Sequence, residues 1–390
     1  MLGKKQSVLV AMSGGVDSSV AAYLLRQGGY EVTGVFLCLG GTVGSDHDSR
    51  GCCSPADQAD ARKVAQKLGI ELFVLNAAED FSGIIEYFLD EYARGRTPNP
   101  CVHCNTRVKF SRLIARADDL GIRHVATGHY ARVVGCGWHG LLASRVRYGS
   151  NTGCEQPVPP HNKANWGFET SSSDVSIHRG RTKDQSYALF GVDRRHLERA
   201  LLPIGELSDK AQVRRIAAEL GLGVAEKPDS QEICFVSGSY TELLRQRRPE
   251  VFRPGDIIDS SGRVLGRHDG VGQFTIGQRR GLRLARGVPM YVTRIDPVAA
   301  TVTIGPAEET LGDRLTARSV NWHIDPPTAG SEFPATVQIR YNHAGAAARV
   351  RITGPDAFEV RFERPVAAIT PGQAAVIYDG DRLLGGGWIQ

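Results

Sequence analysis

The stretch AMSGGVDSS, from Ala11 to Ser19, decides the fold of the first part of this chain. It follows an apolar run at 8–11, which we expect to form a buried strand, and it precedes a segment whose apolar residues have helical spacing. A loop of glycines and serines at such a junction leaves backbone N–H groups at the helix start without intrahelical partners, and these groups bind anions. The sequence therefore predicts an anion-binding loop at the end of the first strand.

Strand-like and helical segments alternate through the first 130 residues. The strand-like runs are 7–12, 31–39, 71–76 and 124–128, and the helical patterns are 18–27, 56–68, 81–94 (with Asp80 as N-cap) and 106–120. This alternation predicts an α/β fold in which helices cover both faces of a parallel sheet. Ligands bind such sheets at the carboxyl ends of the strands, where the loop lies.

The rest of the chain changes character twice. Segment 136–181 is rich in Gly, Pro, Asn and Ser and predicts a flexible inserted loop, either a tolerated surface insertion or one whose basic residues touch RNA. Helical patterns follow at 196–202 and 208–220. The short alternating runs YVTRID, ATVTIG, ATVQIRYN, ARVRITG, FEVRFE and AAVIYDGD predict a small antiparallel barrel, a fold that binds oligonucleotides and many other partners. We expect domains at 1–200, 201–302 and 303–390, the second of mixed structure and the third the β-barrel.

Composition restricts the class of protein only loosely. The net charge of +5 is compatible with a nucleic-acid partner but is common among enzymes. No apolar run approaches the roughly 20 residues of a membrane helix, and the first residues lack a signal-peptide cleavage site, so we expect a cytoplasmic protein without a membrane partner. Eight cysteines are too few for a disulfide scaffold in 390 residues, which favours metal binding or catalysis.

Three cysteines are the candidates for chemistry. Cys101 and Cys104 occupy RTPNPCVHCNTRVKF, where a Pro-rich loop opens a helix and nearby basic residues favour a thiolate, and Cys234 lies in the polar stretch EKPDSQEICFV. The alternative for the first pair is half of a zinc site, but the sequence contains no second C-x-x-C, and the adjacent Cys52 and Cys53 are poorly spaced for chelation. Catalytic thiols are the favoured interpretation.

The loop itself resembles a known phosphate-binding motif. The sequence lacks the Gly-Lys-Ser/Thr of a Walker loop, and no G-x-G-x-x-G follows the first strand, whereas SGGVDSS is similar to the PP-loop of ATP pyrophosphatases, S-G-G-x-D-S-S/T. The resemblance implies that the loop holds the pyrophosphate end of ATP while a substrate oxygen attacks the α-phosphate. It also implies that Asp17 orients a Mg²⁺ ion.

Several further motifs, in order along the chain, resemble the bacterial tRNA-specific 2-thiouridylase family. They are TPNPC-x-x-CN-x-x-x-KF, ATGHYAR, KDQSY, KPDSQ-x-ICF, FTIGQRRGL, VNW, TPGQ and LGGGWI, and together with the PP-loop they span nearly the whole chain except the inserted loop. The resemblance implies a sulfurtransferase that uses ATP to adenylate C2 of the wobble uridine of tRNA and then replaces the oxygen with sulfur. It further implies an N-type ATP-pyrophosphatase fold for the first domain.

The family's functional residues carry over onto matching positions. Cys104 would be the nucleophile and Cys234 the persulfide carrier, so that a Cys104–Cys234 disulfide remains after sulfur release. The implied ATP contacts are Ala11, Met12, Ser13, Gly14, Gly15, Val16, Asp17, Ser18, Leu37 and Gly128. The implied target-base contacts are Asn99, Pro100 and Cys101. The implied tRNA contacts are His129, Lys183, Asp184, Gln185, Arg340, Tyr341 and Gln373. The implied partners are the tRNAs for Lys, Glu and Gln and a sulfur-relay protein or cysteine desulfurase.

One departure from the family pattern raises a second hypothesis. Many members have Asp where this chain has Cys101, and three thiolates at Cys101, Cys104 and Cys234 would suffice for an iron–sulfur cluster with one open iron. Two rival functions also remain. A PP-loop enzyme that amidates a small molecule would not need remote paired cysteines, and a tRNA-binding protein with a degenerate loop would not keep every loop residue intact.

Overall fold

The computed structural model describes residues 5–40, 54–135, 175–181, 183–228, 233–236, 238–282 and 288–390. Within these residues the strands form three sheets. Cys52, Cys53, Cys136 and Cys154, and most of the predicted inserted loop, lie outside the described residues. None of the described helices combines the length and apolar character needed to cross a bilayer.

The first sheet is parallel and has five strands in the order β3–β2–β1–β4–β7. Its strands are β1 (Ser7–Ala11), β2 (Glu31–Cys38), β3 (Glu71–Asn76), β4 (His124–Ala126) and β7 (Ala200–Leu201). β1 is central, and its parallel register with β2 and β4 puts the ends of β1 and β4 at one edge of the sheet. The PP-loop after β1 and the TGHY segment after β4 are therefore neighbours.

Helices cover this sheet as the alternation predicts. They are α1 (Val16–Gln27), α2 (Pro55–Leu68), α3 (Ala78–Ala93), α4 (Pro100–His103), α5 (Ser111–Asp119), α6 (Arg194–Leu197) and α7 (Lys210–Glu219). α2 begins with a capping box between Ser54 and Asp57 and ends at Gly69, which takes the left-handed conformation at φ 59°.

Two helix boundaries differ from the prediction. Asp80 is not the N-cap of α3, because the helix begins one turn earlier with Ala77 in that position, and Asp80 instead forms an ion pair with Arg112. The helical pattern at 196–202 ends early, since α6 stops at Leu197 and the following apolar residues join the parallel sheet as β7. Pairing of β7 with β4 therefore outweighed the helical spacing of these apolar residues.

The middle sheet has four strands in the order β10–β11–β8–β9 and is mixed, because β8 and β11 pair in parallel. Its strands are β8 (Gly255–Ile258), β9 (Val264–His268), β10 (Tyr291–Asp296) and β11 (Thr301–Gly305), and helix α8 (Tyr240–Arg247) precedes them. The runs YVTRID and ATVTIG therefore belong to this sheet, and the expectation that they form part of the barrel was wrong.

The third sheet closes into an antiparallel barrel of six strands, because β12 pairs with both β15 and β17. Its strands are β12 (Leu311–Trp322), β13 (Glu332–Gln338), β14 (Ala346–Gly354), β15 (Ala357–Ala367), β16 (Ala374–Asp379) and β17 (Arg382–Ile389). A hairpin of β5 (Ala131–Val134) and β6 (Ser176–Arg179) from the N-terminal part pairs with β17. Residues 176–179 are thus strand, which shortens the predicted loop. The predicted fold class is confirmed.

Candidate active site

The PP-loop lies between β1 and α1 and keeps its shape through serine hydroxyls. The backbone N–H of Ser13 donates to Ser18 Oγ at 3.1 Å, and Ser18 and Ser19 donate to the carbonyl of Gly15 at 3.1 and 2.8 Å. Gly15 is the N-cap residue of α1, and among the described residues no side chain caps this helix end. The first amides of α1 and the positive end of its dipole therefore suit an anionic group.

Two glycines let other backbone segments approach the loop. Gly14 has φ +74°, and a Cβ there would lie 2.2 Å from the carbonyl oxygen of Asp57 at the start of α2. A Cβ at Gly128 would lie 2.7 Å from the backbone nitrogen of Ser18. The predicted ATP contacts after β1 and β4 are thus packed against each other. Leu37, at the end of β2, is partly buried at the same sheet edge.

Asp17 is held in the first turn of α1 by two groups from elsewhere in the chain. Its Oδ1 accepts a hydrogen bond from the Tyr130 hydroxyl at 2.7 Å and from Lys210 Nζ at 2.5 Å. Lys210 is the first residue of α7, and Tyr130 follows β4. The carboxylate, a lysine and a phenol therefore form one polar cluster beside the PP-loop.

A second lysine joins the loop to the segment that leads to Cys234. Lys227 Nζ donates to the carbonyl of Gly14 at 3.1 Å, to Asp57 at 2.6 Å and to Asp60 at 2.7 Å. Burial acts to lower the pKa of Lys227, but its hydrogen bonds to the two aspartates outweigh this and raise it. Lys227 is therefore charged at neutral pH and fixes the PP-loop against α2.

Replacing Lys227 by methionine is expected to raise the KM for ATP about tenfold, with a smaller fall in kcat. The change leaves Asp57 and Asp60 without their shared cation and leaves the Gly14 carbonyl without this donor, so the loop loses its fixed position before ATP binds. Initial-rate measurements at varied ATP concentration check this.

The matched control is Lys67→Met, on α2, the helix that carries Asp57 and Asp60. Lys67 Nζ donates to the carbonyl of Gly221 at 2.8 Å on an exposed surface, at the other end of α2 from the PP-loop. We expect its KM for ATP to equal that of the unaltered protein. Equal KM values for the Lys227 and Lys67 variants would show that Lys227 does not order the loop.

The CVHC segment begins a continuous helical stretch. Asn99 accepts a weak hydrogen bond from Val102 N–H at 3.4 Å and caps α4, and the stretch 104–110 is a π-helical turn before α5. Such turns are frequent at functional sites. Cys101 is exposed in the first turn of α4, whereas Cys104 is 6% exposed one turn later. The sequence placed both thiols at the start of a helix, whereas in the structure Cys101 lies there and Cys104 lies one turn further along.

Cys104 and Cys234 contact the same apolar cluster. Cys104 is one of its buried members, and Cys234 and Leu37 pack against it from the edge. The neighbouring Phe235 anchors the 233–236 segment, because its ring meets Phe88 edge-on at 5.2 Å between ring centroids. Two thiols that are 130 residues apart in the sequence, and the residue predicted to line the adenine, therefore pack against one apolar cluster.

Three of the predicted tRNA contacts, and Cys101, lie close to a fourth predicted contact, Tyr341. Burial raises the pKa of the Tyr341 hydroxyl, and Lys183, Asp184, Gln185 and Cys101 all lie close enough to influence it. Tyr341 is 42% exposed, as a base-stacking residue requires. The other side chains also have structural roles. Gln185 accepts the Tyr130 N–H at 2.9 Å, and Lys183 lies over the Tyr130 ring at 5.4 Å.

The remaining predicted tRNA contacts are more dispersed. His129 is half-buried with its Nδ1 2.7 Å from the hydroxyl of Thr127, and burial and the charge of Lys109 lower its pKa to about 3. The ring is therefore neutral at physiological pH. Arg340 donates to the carbonyl of Ala367 at 3.3 Å, and the Gln373 amide contacts the loop that carries Pro98.

The side chains and backbone groups of this site fit ATP with Mg²⁺ better than they fit an iron–sulfur cluster. The capless helix start, the loop serines and Asp17 match a triphosphate with a hard cation, since carboxylate oxygens are ligands that Mg²⁺ prefers. Across the described ranges, no three His, Cys, Asp or Glu side chains are placed to hold a metal ion. Cys101, Cys104 and Cys234 therefore do not form a ligand set here, and we derive no step through an iron–sulfur cluster.

Sequence reasoning missed three residues of this site. Lys210 and Asp57 lie on helices far from the loop in sequence, and only the folded chain shows that they reach it. Tyr130 stands inside the ATGHYAR motif, but nothing in the motif indicates that its hydroxyl binds Asp17.

Comparison with known proteins decides the family. A family described as the tRNA methyl transferase HUP domain matches residues 6–238, a PRC-barrel domain of the same description matches 241–306, and an aminomethyltransferase β-barrel domain matches 312–389. The tRNA-specific 2-thiouridylase MnmA of Rhodopirellula baltica is 42% identical over 98% of this chain and 96% of its own length. The chain belongs to the tRNA-specific 2-thiouridylase family.

Other members of the 2-thiouridylase family match over the same extent. The MnmA protein of Carboxydothermus hydrogenoformans is 44% identical over all of this chain and 99% of its own length. The MnmA protein of Salinibacter ruber is 43% identical over 100% of this chain and 95% of its own length. A solved NMN synthetase from Francisella tularensis covers 63% of the chain and 77% of its own at a TM-score of 0.33, which is too low to support a conclusion.

Proposed function

We propose that this protein is an ATP-dependent tRNA 2-thiouridylase, a sulfurtransferase acting on the wobble uridine. The observation that supports this most directly is the shared cluster of Cys104, Cys234 and Leu37 at the edge of the sheet that carries the PP-loop. A nucleotide site and two thiols at one edge are what activation of a carbonyl followed by sulfur delivery requires.

The first step activates the base. The C2 oxygen of uridine is a poor leaving group, whereas AMP is a good one, so attack of this oxygen on the α-phosphate of ATP with loss of pyrophosphate prepares C2 for substitution. The residues at 11–18, with Gly128 and Leu37, bind ATP in this proposal. Mg²⁺ would be held by Asp17 and would neutralise phosphate charge.

The second step exchanges oxygen for sulfur. A protein-bound persulfide, from a sulfur-relay protein or a cysteine desulfurase, passes its outer sulfur to Cys234. The terminal sulfur of the Cys234 persulfide attacks C2, and AMP leaves. The Cys104 thiolate then attacks the inner sulfur, which releases 2-thiouridine and leaves a Cys104–Cys234 disulfide for a cellular thiol to reduce.

The tRNA-facing residues complete the proposal. Asn99, Pro100 and Cys101 contact the target base, and Lys183, Asp184, Gln185, Arg340, Tyr341 and His129 contact the tRNA. Lysine and arginine suit phosphates, and the exposed Tyr341 ring suits stacking on an unpaired base. We propose tRNAs for Lys, Glu and Gln as substrates in the cytoplasm.

The test is thiolation of an unmodified tRNA transcript with ATP, Mg²⁺, a cysteine desulfurase with L-cysteine as the persulfide donor, and a thiol that reduces the final disulfide. We expect 2-thiouridine at the wobble position by mass spectrometry of the nucleosides, with one AMP formed for each. A transcript with cytidine at that position and a reaction without ATP are the controls. A bound tRNA that gains no sulfur would contradict the proposal.

A further inference from the structure

The C-terminal barrel holds the loop that precedes the CVHC segment. The backbone N–H of Thr97 donates to the carbonyl of Pro371 at 2.9 Å. In the opposite direction, the Gln373 side-chain amide donates to the carbonyls of Thr97 at 3.1 Å and Pro98 at 3.0 Å. Three hydrogen bonds therefore join the TPGQ turn before β16 to the TPNP loop.

The approach of the two segments is close. Gly372 has φ +89°, and a Cβ there would lie 2.7 Å from the Thr97 carbonyl and 2.9 Å from a carboxylate oxygen of Glu91. Glu91 is buried and accepts a hydrogen bond from Arg96 at 2.8 Å, while Arg96 also donates to the carbonyl of Ile389 at 3.2 Å. The last strand of the barrel is therefore hydrogen-bonded to Arg96 at the start of the loop, and Gly372 allows the TPGQ turn to approach the same loop.

A second contact lies between the two cysteines of the CVHC segment. The His103 ring stacks on Trp388 of β17, with ring centroids 4.3 Å apart and planes within 3°. Burial and the charge of Arg107 lower the pKa of His103 to about 4, so the ring is neutral when it stacks. Cys101 therefore lies between two contacts with the barrel, and Cys104 directly follows the second of them.

We propose that Gln373 is a positioning residue, a clamp through which the barrel fixes the loop carrying Asn99, Pro100 and Cys101. The loop contains Pro98 and Pro100, which have no N–H, so it forms few backbone bonds of its own. The side-chain amide supplies donors to two adjacent carbonyls that would otherwise be ordered by water. This inference rests on the proposed function for the role of the loop, and on the contacts above for the clamp itself.

If the clamp is lost, we expect the rate of thiolation to fall while the affinity for tRNA stays nearly unchanged. A displacement of about 1 Å in a substrate-positioning group costs roughly 100-fold in rate. Gln373→Glu replaces the donor with an acceptor that repels both carbonyls, and Gln373→Met keeps the length of the side chain but removes the donor. In both variants we expect the single-turnover rate of thiolation at saturating tRNA to fall between about 10-fold and 100-fold, with the Kd for tRNA changed by less than about twofold.

The charge-matched control is Gln66→Glu, at an exposed position near the end of α2, and we expect its rate and Kd to match the unaltered protein. Hydrogen–deuterium exchange of the peptide spanning 94–103 gives a readout that does not need activity. Loss of the clamp should speed exchange of the Thr97 amide in both Gln373 variants, even if the protein proves to thiolate nothing.

Three results would overturn the clamp. An unchanged exchange rate at Thr97 would show that the bonds do not order the loop. A raised Kd with a normal rate at saturating tRNA would assign Gln373 to tRNA binding. A full rate in the methionine variant, whether or not the glutamate variant folds, would show that the donor is not needed.

Discussion

Serine in place of Cys104 or Cys234 is expected to reduce formation of 2-thiouridine by about 1,000-fold or more while leaving the Kd for tRNA nearly unchanged. A serine hydroxyl remains protonated at neutral pH and cannot carry a persulfide, whereas each step after adenylation needs a thiolate or a persulfide. The two side chains contact one apolar cluster, so the isosteric change is not expected to disturb the fold. Nucleoside mass spectrometry and filter binding measure the two quantities.

The two variants are distinguishable by where they stop. Cys234→Ser accepts no sulfur, so activated tRNA returns to uridine by hydrolysis. Cys104→Ser should accumulate a covalent adduct of Cys234 and tRNA through a disulfide, visible on a denaturing gel and cleaved by dithiothreitol. Cys38→Ser, half-buried in β2, is the control and should thiolate normally. Normal activity in either of the first two variants would exclude the two-thiol mechanism.

The parts of the fold that the sequence predicted are those with strong local signals. The parallel sheet followed from short apolar runs separated by helices with glycine stops, such as α2 before Gly69. β12 and β17 were not predicted as strands although they close the barrel. In β17 the run of three glycines lowers strand propensity and is typical of a turn, so only pairing with β12 and β16 identifies it.

The candidate site likewise contains residues that local sequence signals predicted and residues that only the folded chain reveals. The PP-loop residues are consecutive in sequence, and Cys104 and Cys234 stand in motifs, so the sequence alone could nominate them. The lysines at 210 and 227 and the amide of Gln373 act on backbone or side-chain atoms more than 190 residues away along the chain, and a sequence pattern carries no record of such partners. Gln373 shows the consequence, because a motif position implied to meet tRNA contacts the protein's own loop.

Asn in place of Asp17 is expected to lower ATP-dependent pyrophosphate release by about 100-fold or more, equivalent to about 2.7 kcal/mol of transition-state stabilisation. The amide has the shape of the carboxylate but lacks the negative charge that a hard cation requires. It also leaves Lys210, whose Nζ lies 2.5 Å from the carboxylate, without its anionic partner beside the loop. A coupled pyrophosphate assay with tRNA present measures the loss.

The Tyr130→Phe variant tests whether Asp17 acts through its negative charge or through the hydrogen bond that positions its side chain. It removes the hydroxyl that donates to Asp17 at 2.7 Å but leaves the carboxylate and Lys210 in place. If the charge is what matters, this variant should lose less pyrophosphate release than the asparagine variant, because the carboxylate keeps its charge and its hydrogen bond from Lys210. Equal losses in both variants would mean that Asp17 serves only to orient the loop, and unchanged pyrophosphate release in the asparagine variant would remove the basis for assigning ATP to this site.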